Sequence, residues 1–181
     1  MTGFSDFSLR DMQVDDPKGE AAPSSLGQGS SAAFQHFLAT SVACRVAAST
    51  LKSGAEVAIT FTDVEGDWRV RKHATSGISL ELGKAVDPDF ELRIPPQAGA
   101  AIYSRTDSDV GELGVTFFEY IATKHPDLRI SVTLRSGLLK LTKRGWLALL
   151  TRGGPTVMMW MAKKGFRGPG AIATALGRFR K

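Results

Sequence analysis

The chain is 181 residues long, 43% hydrophobic and 23% charged, which is the size and make-up of one ordinary domain with tails and excludes wholesale disorder. It holds no uninterrupted apolar run of about 18 residues, and its opening MTGFSDFSLRDMQVDD has neither a basic start nor an apolar core, so neither a membrane-spanning helix nor a secretory signal is expected. The single cysteine, Cys44, excludes an internal disulfide and a thiolate zinc cluster; a reducing, cytoplasmic setting follows as the expectation.

The net charge of +5 is unevenly placed. Residues 1–31 hold two bases against five acids, residues 32–139 eleven against thirteen, and residues 140–181 ten bases and no acid. A segment so one-sided points to an anionic partner, a phospholipid surface or nucleic acid, or else to a solvated basic face. Residues 1–30, with Pro17, Pro23 and the run AAPSSLGQGSS, read as a flexible arm; residues 31–162 read as the domain, and residues 163–181 as a basic tail.

In chain order, Ser31 is placed to cap a helix whose stripe is Phe34, Phe37, Leu38, Ser41 and Val42 and which runs on to Gly54. Arg45 and Lys52 return to that stripe, so their stems reach out to solvent, the helix bends or ends early, or Arg45 reaches an anionic ligand head. Cys44 reads as a small packing residue and His36 as solvated.

The period then changes from 3.6 to 2. Val57, Ile59 and Phe61 alternate with Glu56, Ala58, Thr60 and Thr62; Trp68 and Val70 alternate with Arg69 and Arg71; Ile78, Leu80 and Leu82 alternate with Ser79 and Glu81; and Phe90, Leu92 and Ile94 alternate with Glu91 and Arg93. Four strands, each with one dry and one wet face, read as an antiparallel meander. The acidic turns around Asp63, Glu65 and Asp67 and around Asp87-Pro88-Asp89 read as solvated, and the first lacks the register of a calcium loop.

Pro95 and Pro96 close the fourth strand and open a short helix over QAGAAIYSR. Asp107 and Ser108 are placed to cap a longer helix, 109–124, with Val110, Leu113, Phe117 and Ile121 on its stripe. A fifth strand alternates Leu128, Ile130, Val132 and Leu134 with arginine, serine and threonine. Leu138, Leu139 and Leu141 are expected to extend the sheet edge, and Trp146, Leu147, Leu149 and Leu150 to form a helical turn or two. The fold class is therefore α/β of the α+β type, a five-stranded, mainly antiparallel sheet covered by helices.

The segments AEVAITFTDVEGDW, SGISLELGKAVDPDFELRI, TFFEYI and DLRISVTL, with Gly66, Trp68, Gly83, Asp87, Pro88 and Asp89, carry a resemblance to the sterol carrier protein 2 family over about 110 of the 181 residues. The chain departs from that pattern at KHPDLRISVTLRSG, around the last strand, and its RFRK end lacks the peroxisomal serine-lysine-leucine address. The resemblance implies a sheet packed on helices with an apolar tunnel between them. It also implies non-catalytic binding and transfer or presentation of a sterol, fatty acyl chain, phospholipid or isoprenoid quinone.

The residue chemistry is compatible with that. There is no nucleophile elbow, phosphate loop, paired-histidine zinc motif or dinucleotide fingerprint, and His36, His73 and His125 are scattered singly, so neither catalytic residues, nor a metal, nor a cofactor is expected. The apolar excess lies in Phe117, Phe118, Ile121, Ile130, Val132, Trp146, Leu150, Met158 and Met159, the expected ligand-lining set, with Trp160 and Met161 beside it. Lys163, Lys164, Arg167, Arg178, Arg180 and Lys181 are the expected contacts to an anionic membrane. The expected partners are an apolar lipid, an anionic membrane surface at the periphery and, in the alternative reading of an accessory protein, a lipid or quinone biosynthetic enzyme. Nucleic acid is not expected, since no recognition motif accompanies the charge.

Overall fold

A computed structural model describes residues 29–164 apart from Ser76. The expected arm before residue 29 and the tail residues Arg167, Arg178, Arg180 and Lys181 lie outside the described residues. The fold is α+β, with a five-stranded mixed sheet and, among the described residues, seven helices.

Ser30–Thr40 forms α1 and Val42–Thr50 forms α2. One helix was expected across both. It breaks at Ser41, whose backbone is extended and whose buried hydroxyl accepts from the Cys44 amide, so the serine on the stripe is the N-cap of a second helix. The cap of α1 is Gly29 in place of Ser31; Ser30 is anchored instead, donating from its amide and hydroxyl to Asp63. The break swings Arg45 out to solvent, where its guanidinium caps the Thr40 carbonyl.

The strands are β1 (Glu56–Phe61), β2 (Trp68–Lys72), β3 (Ile78–Leu82), β4 (Phe90–Ile94) and β5 (Ser131–Leu134), in the order β3-β2-β1-β4-β5. The meander expectation fails at its last step. β4 does not pair with β3; it crosses the end of the sheet and lies parallel to β1, with Val57 opposite Phe90 and Phe61 opposite Ile94, while the other pairings are antiparallel. The crossover spans three strand spacings, about 14 Å, and the seven residues between Leu82 and Phe90 reach about 23 Å when extended, so no helix is needed. It is pinned where it arrives: the Asp89 amide donates to the Glu56 carbonyl at 2.7 Å and the Asp87 amide to the Glu56 carboxylate at 2.9 Å. Glu56, expected on the wet face, is buried for this reason.

Pro96–Tyr103 forms α3 with proline in its first turn. Val110–Ala122 forms α4, capped by Asp109 in place of Asp107 or Ser108, whose carboxylate accepts from the Glu112 amide. Leu138–Lys143 is a helix, α5, and not the sheet extension expected from Leu138, Leu139 and Leu141. The run LLKLTK lacks strict alternation, and only Leu141 is buried while Leu138 and Leu139 stand out in solvent. Trp146–Arg152 forms α6 and Gly154–Lys163 forms α7.

The turn between α5 and α6 depends on Gly145, whose φ is +86° and where a Cβ would stand 2.4 Å from the Thr50 carbonyl oxygen. Gly111 plays a similar part between α4 and α7, since a Cβ there would lie 2.5 Å from the Gly153 carbonyl oxygen.

Candidate functional site

The two halves of the sheet are covered unequally. By register, Val57, Ile59 and Phe61 of β1 share the inner face with Phe90, Leu92 and Ile94 of β4 and with Val132 and Leu134 of β5. The β1 side is sealed: Val57, Ile59 and Phe61 are buried together with Phe37 of α1 and Ala98, Ile102 and Tyr103 of α3. An aromatic group closes it further, with the Tyr103 ring 5.2 Å from Phe34 and 5.7 Å from Phe37.

The β4–β5 side is different. Phe90, Leu92 and Val132 remain half-buried, as do Leu113, Phe117, Tyr120 and Ile121 of α4 and Trp146 of α6, although all of them pack against the same core. Leu92 sits in the middle of an interior strand, flanked by β1 and β5, on the inner face. Together these side chains form a half-buried apolar surface shared by α4, β4, β5 and α6, on which Trp146 meets Phe90 edge to face (5.0 Å between centroids, 82° between planes).

Of the expected lining set, Phe117, Ile121, Val132 and Trp146 belong to this half-buried apolar surface. Ile130 is fully buried within the protein's own core and offers a ligand no surface. Phe118 lies on the flank of α4, against Phe117 and stacked on Trp160 at 5.6 Å, and Leu150 is half-buried on α6. Met158 and Met159 are 48% and 59% exposed, so they do not line the interior; α7 turns Val157 inward against Gly114 and leaves the methionines on its outer side. Phe90, Leu92, Leu113 and Tyr120 join that surface although the sequence marks them only as strand or helix residues. Alternation locates Phe90 and Leu92, but it carries no information on which strands flank β4.

Trp146 is held in place by a residue that the sequence reads as solvated. Asp89 has 0% exposure and is the centre of a polar cluster. One carboxylate oxygen accepts from Arg144 at 2.8 Å and from the Ser136 hydroxyl at 2.7 Å; the other accepts from the Trp146 indole at 2.7 Å and from the Glu56 amide at 3.3 Å. Arg144 also donates to the Asp87 carboxylate and carbonyl, and Lys140 pairs with Asp87. Asp87, unlike its neighbour, is exposed as expected, and the hydrogen bond from Lys140, reinforced by the charges of Lys140 and Arg144, lowers its pKa. The cluster fastens the α5–α6 corner to the start of β4 and the end of β5.

A second polar cluster lies on the outer face of the β2–β3 hairpin. His73 Nε2 lies 2.8 Å from the Ser79 hydroxyl and 2.7 Å from Glu81, and Arg69 donates to Glu81 at 2.9 Å. The Ser79 hydroxyl does most to lower the Glu81 pKa; burial opposes it, and His73 and Arg69 add to the lowering. Serine and carboxylate meet the same ring nitrogen, whereas a nucleophile relay uses one nitrogen for each. The arrangement latches the hairpin. Burial pushes the Cys44 thiol up in pKa and so keeps it in the protonated, unreactive form, against a lesser lowering by the Ser41 hydrogen bond.

Among the described residues no group of three or more histidine, cysteine, aspartate or glutamate side chains is placed to hold a metal, and no helix is long and apolar enough to cross a membrane. No family model, curated protein or solved structure matches the chain.

Proposed function

We propose that the chain binds a ligand with a long apolar tail, of the sterol, fatty acyl, phospholipid or isoprenoid quinone type, in a groove opening between α4 and the β4–β5 surface, and carries or presents it without chemical change. The observation that supports this reading is the partial exposure of Leu92, an interior strand residue on the inner face, within a continuous set of half-buried apolar side chains from α4, β4, β5 and α6. The resemblance to sterol carrier protein 2 points the same way.

Energetics set a condition on it. A tail of about 16 carbons yields roughly 12 kcal/mol when fully buried, while micromolar affinity needs about 8 kcal/mol net. Half coverage, about 6 kcal/mol by the same measure, falls short, so the tail must be covered along most of its length.

Delivery to an anionic bilayer is supported by the surface beside the groove. Residues 128–181 contain no acid, and Leu138 and Leu139, 51% and 71% exposed, stand next to Lys140 and Lys143 on α5. Met158 and Met159 stand on α7 with exposed Lys163 and Lys164 near its end, and Lys164 lies 5.7 Å over the Trp160 ring.

The test is uptake by delipidated protein, with native mass spectrometry of gently purified protein to identify any tail already bound. Saturable binding is expected for the wild type. It should be lost in Leu92→Trp, which fills the groove, with the circular dichroism spectrum unchanged. Failure to take up any fatty acid, sterol, phospholipid or quinone would overturn the proposal.

A further inference from the structure

A polar cleft of about 440 Å³ opens at the other side of the same strands. Its walls are Thr62 just after β1, Arg93 and Pro95 at the end of β4, Lys124, Pro126, Asp127 and Arg129 of the α4–β5 connection, and Ser131 at the start of β5. β1 and β4 run parallel, so both bring their carboxyl ends to it. Arg93 and Ser131 are register partners on the outer face, whereas Leu92 and Val132 are partners on the inner face, so the cleft and the half-buried apolar surface lie on opposite sides of the sheet.

Three cations and one carboxylate line this cleft, and among the described residues none of the four makes an ion pair. Elsewhere the fold neutralises comparable groups: Arg69 meets Glu81, Arg135 meets Glu91, and Arg144 meets Asp87 and Asp89. At Arg93 the cross-strand neighbours are Thr60 and Ser131, which offer no charge. Two guanidinium forks and an ammonium around one space, with the Thr62 and Ser131 hydroxyls beside them, supply more donors than a single carboxylate can accept. They match the several oxygens and the double charge of a phosphate group. The volume lies within the roughly 300–1,000 Å³ typical of small-molecule sites.

We propose that this cleft binds a phosphorylated anion, a phosphate monoester or diphosphate, through Arg93, Lys124 and Arg129. The same chemistry is carried by a soluble phosphorylated metabolite and by the headgroup of a membrane lipid.

The experiment is calorimetric titration of the full chain with inorganic pyrophosphate at low salt. Binding is expected to weaken about tenfold in each of Arg93→Gln, Lys124→Gln and Arg129→Gln and to be unchanged in Arg71→Gln, a same-face arginine that does not line the cleft. Co-sedimentation with phosphatidic acid vesicles separates the sources. A parallel fall in vesicle binding in Arg93→Gln assigns the headgroup, and unchanged vesicle binding assigns the soluble anion; either supports an anion site. Pyrophosphate affinity weaker than about 1 mM, or equal affinity in the wild type and all three cleft variants, would overturn it.

Discussion

Replacing Asp89 by asparagine tests whether the buried carboxylate holds the α5–α6 corner. Four donors converge on its two oxygens: Arg144 and Ser136 on one, Trp146 and the Glu56 amide on the other. An amide has only one acceptor oxygen, so its NH₂ must face one of these pairs. Facing Trp146 and the Glu56 amide, it leaves two obligatory donors without an acceptor. Facing Arg144, it leaves one, since the Ser136 hydroxyl can turn to accept and Arg144 keeps Asp87 at 2.8 Å. At about 1–3 kcal/mol for each buried group left unpaired, together with the loss of the charge pairing, the expected destabilisation is about 3 kcal/mol. In urea, with a slope of about 2 kcal/mol per molar, the unfolding midpoint should fall by about 1.5 M without a change in slope. The Asp89→Asn/Arg144→Gln double variant removes the stranded guanidinium donor, and about 1 kcal/mol of coupling between the two sites should appear in the cycle. A midpoint shift of less than about 0.3 M, or strict additivity in the cycle, would refute the claim that this carboxylate organises the corner.

Three other outcomes follow from the same structure. The Tyr103 hydroxyl is buried without a hydrogen-bond partner among the described residues, and desolvation, with the nearby Asp63 charge, raises its pKa; Tyr103→Phe should therefore be neutral or up to about 1 kcal/mol more stable by chemical denaturation, and a clear loss would show that the hydroxyl has an acceptor. Gly145→Ala places a Cβ 2.4 Å from the Thr50 carbonyl oxygen at a φ of +86° and should lower stability by at least about 2 kcal/mol, whereas a thermal midpoint equal to wild type would contradict the close approach. Glu81 and Asp87 both have lowered pKa values in the folded state, so the unfolded chain binds protons more readily; their stabilisation is complete above the ordinary carboxylate range and is lost as the pH falls below about 4. Urea midpoints measured between pH 6 and pH 3 should drop for wild type and drop less for Glu81→Gln.

Local periodicity was enough to find the five strands, the short proline-started helix and α4, because a buried face imposes its period on a segment regardless of what that face packs against. Alternation placed Val57, Ile59 and Phe61 on one side and Arg69 and Arg71 on the other without any knowledge of partners. Neighbour relations are a different matter. The step of β4 across the sheet to pair in parallel with β1 follows from the anchoring of the Asp87 and Asp89 amides on Glu56, a contact between residues more than thirty positions apart. Ser41 sits on an apolar stripe and carries no mark to show whether it continues a helix or caps the next. The acidic turn at Asp87-Pro88-Asp89 looks the same in sequence whether it is solvated or sealed beneath Arg144 and Trp146. The candidate site divides along the same line. The stripe of Phe117 and Ile121 and the alternation of Val132 are one-dimensional signals, and they were legible. The exposure of Met158 and Met159, the burial of Ile130 and the openness around Leu92 depend on how far one layer stands from another, a distance decided by side chains that meet only when the chain has folded.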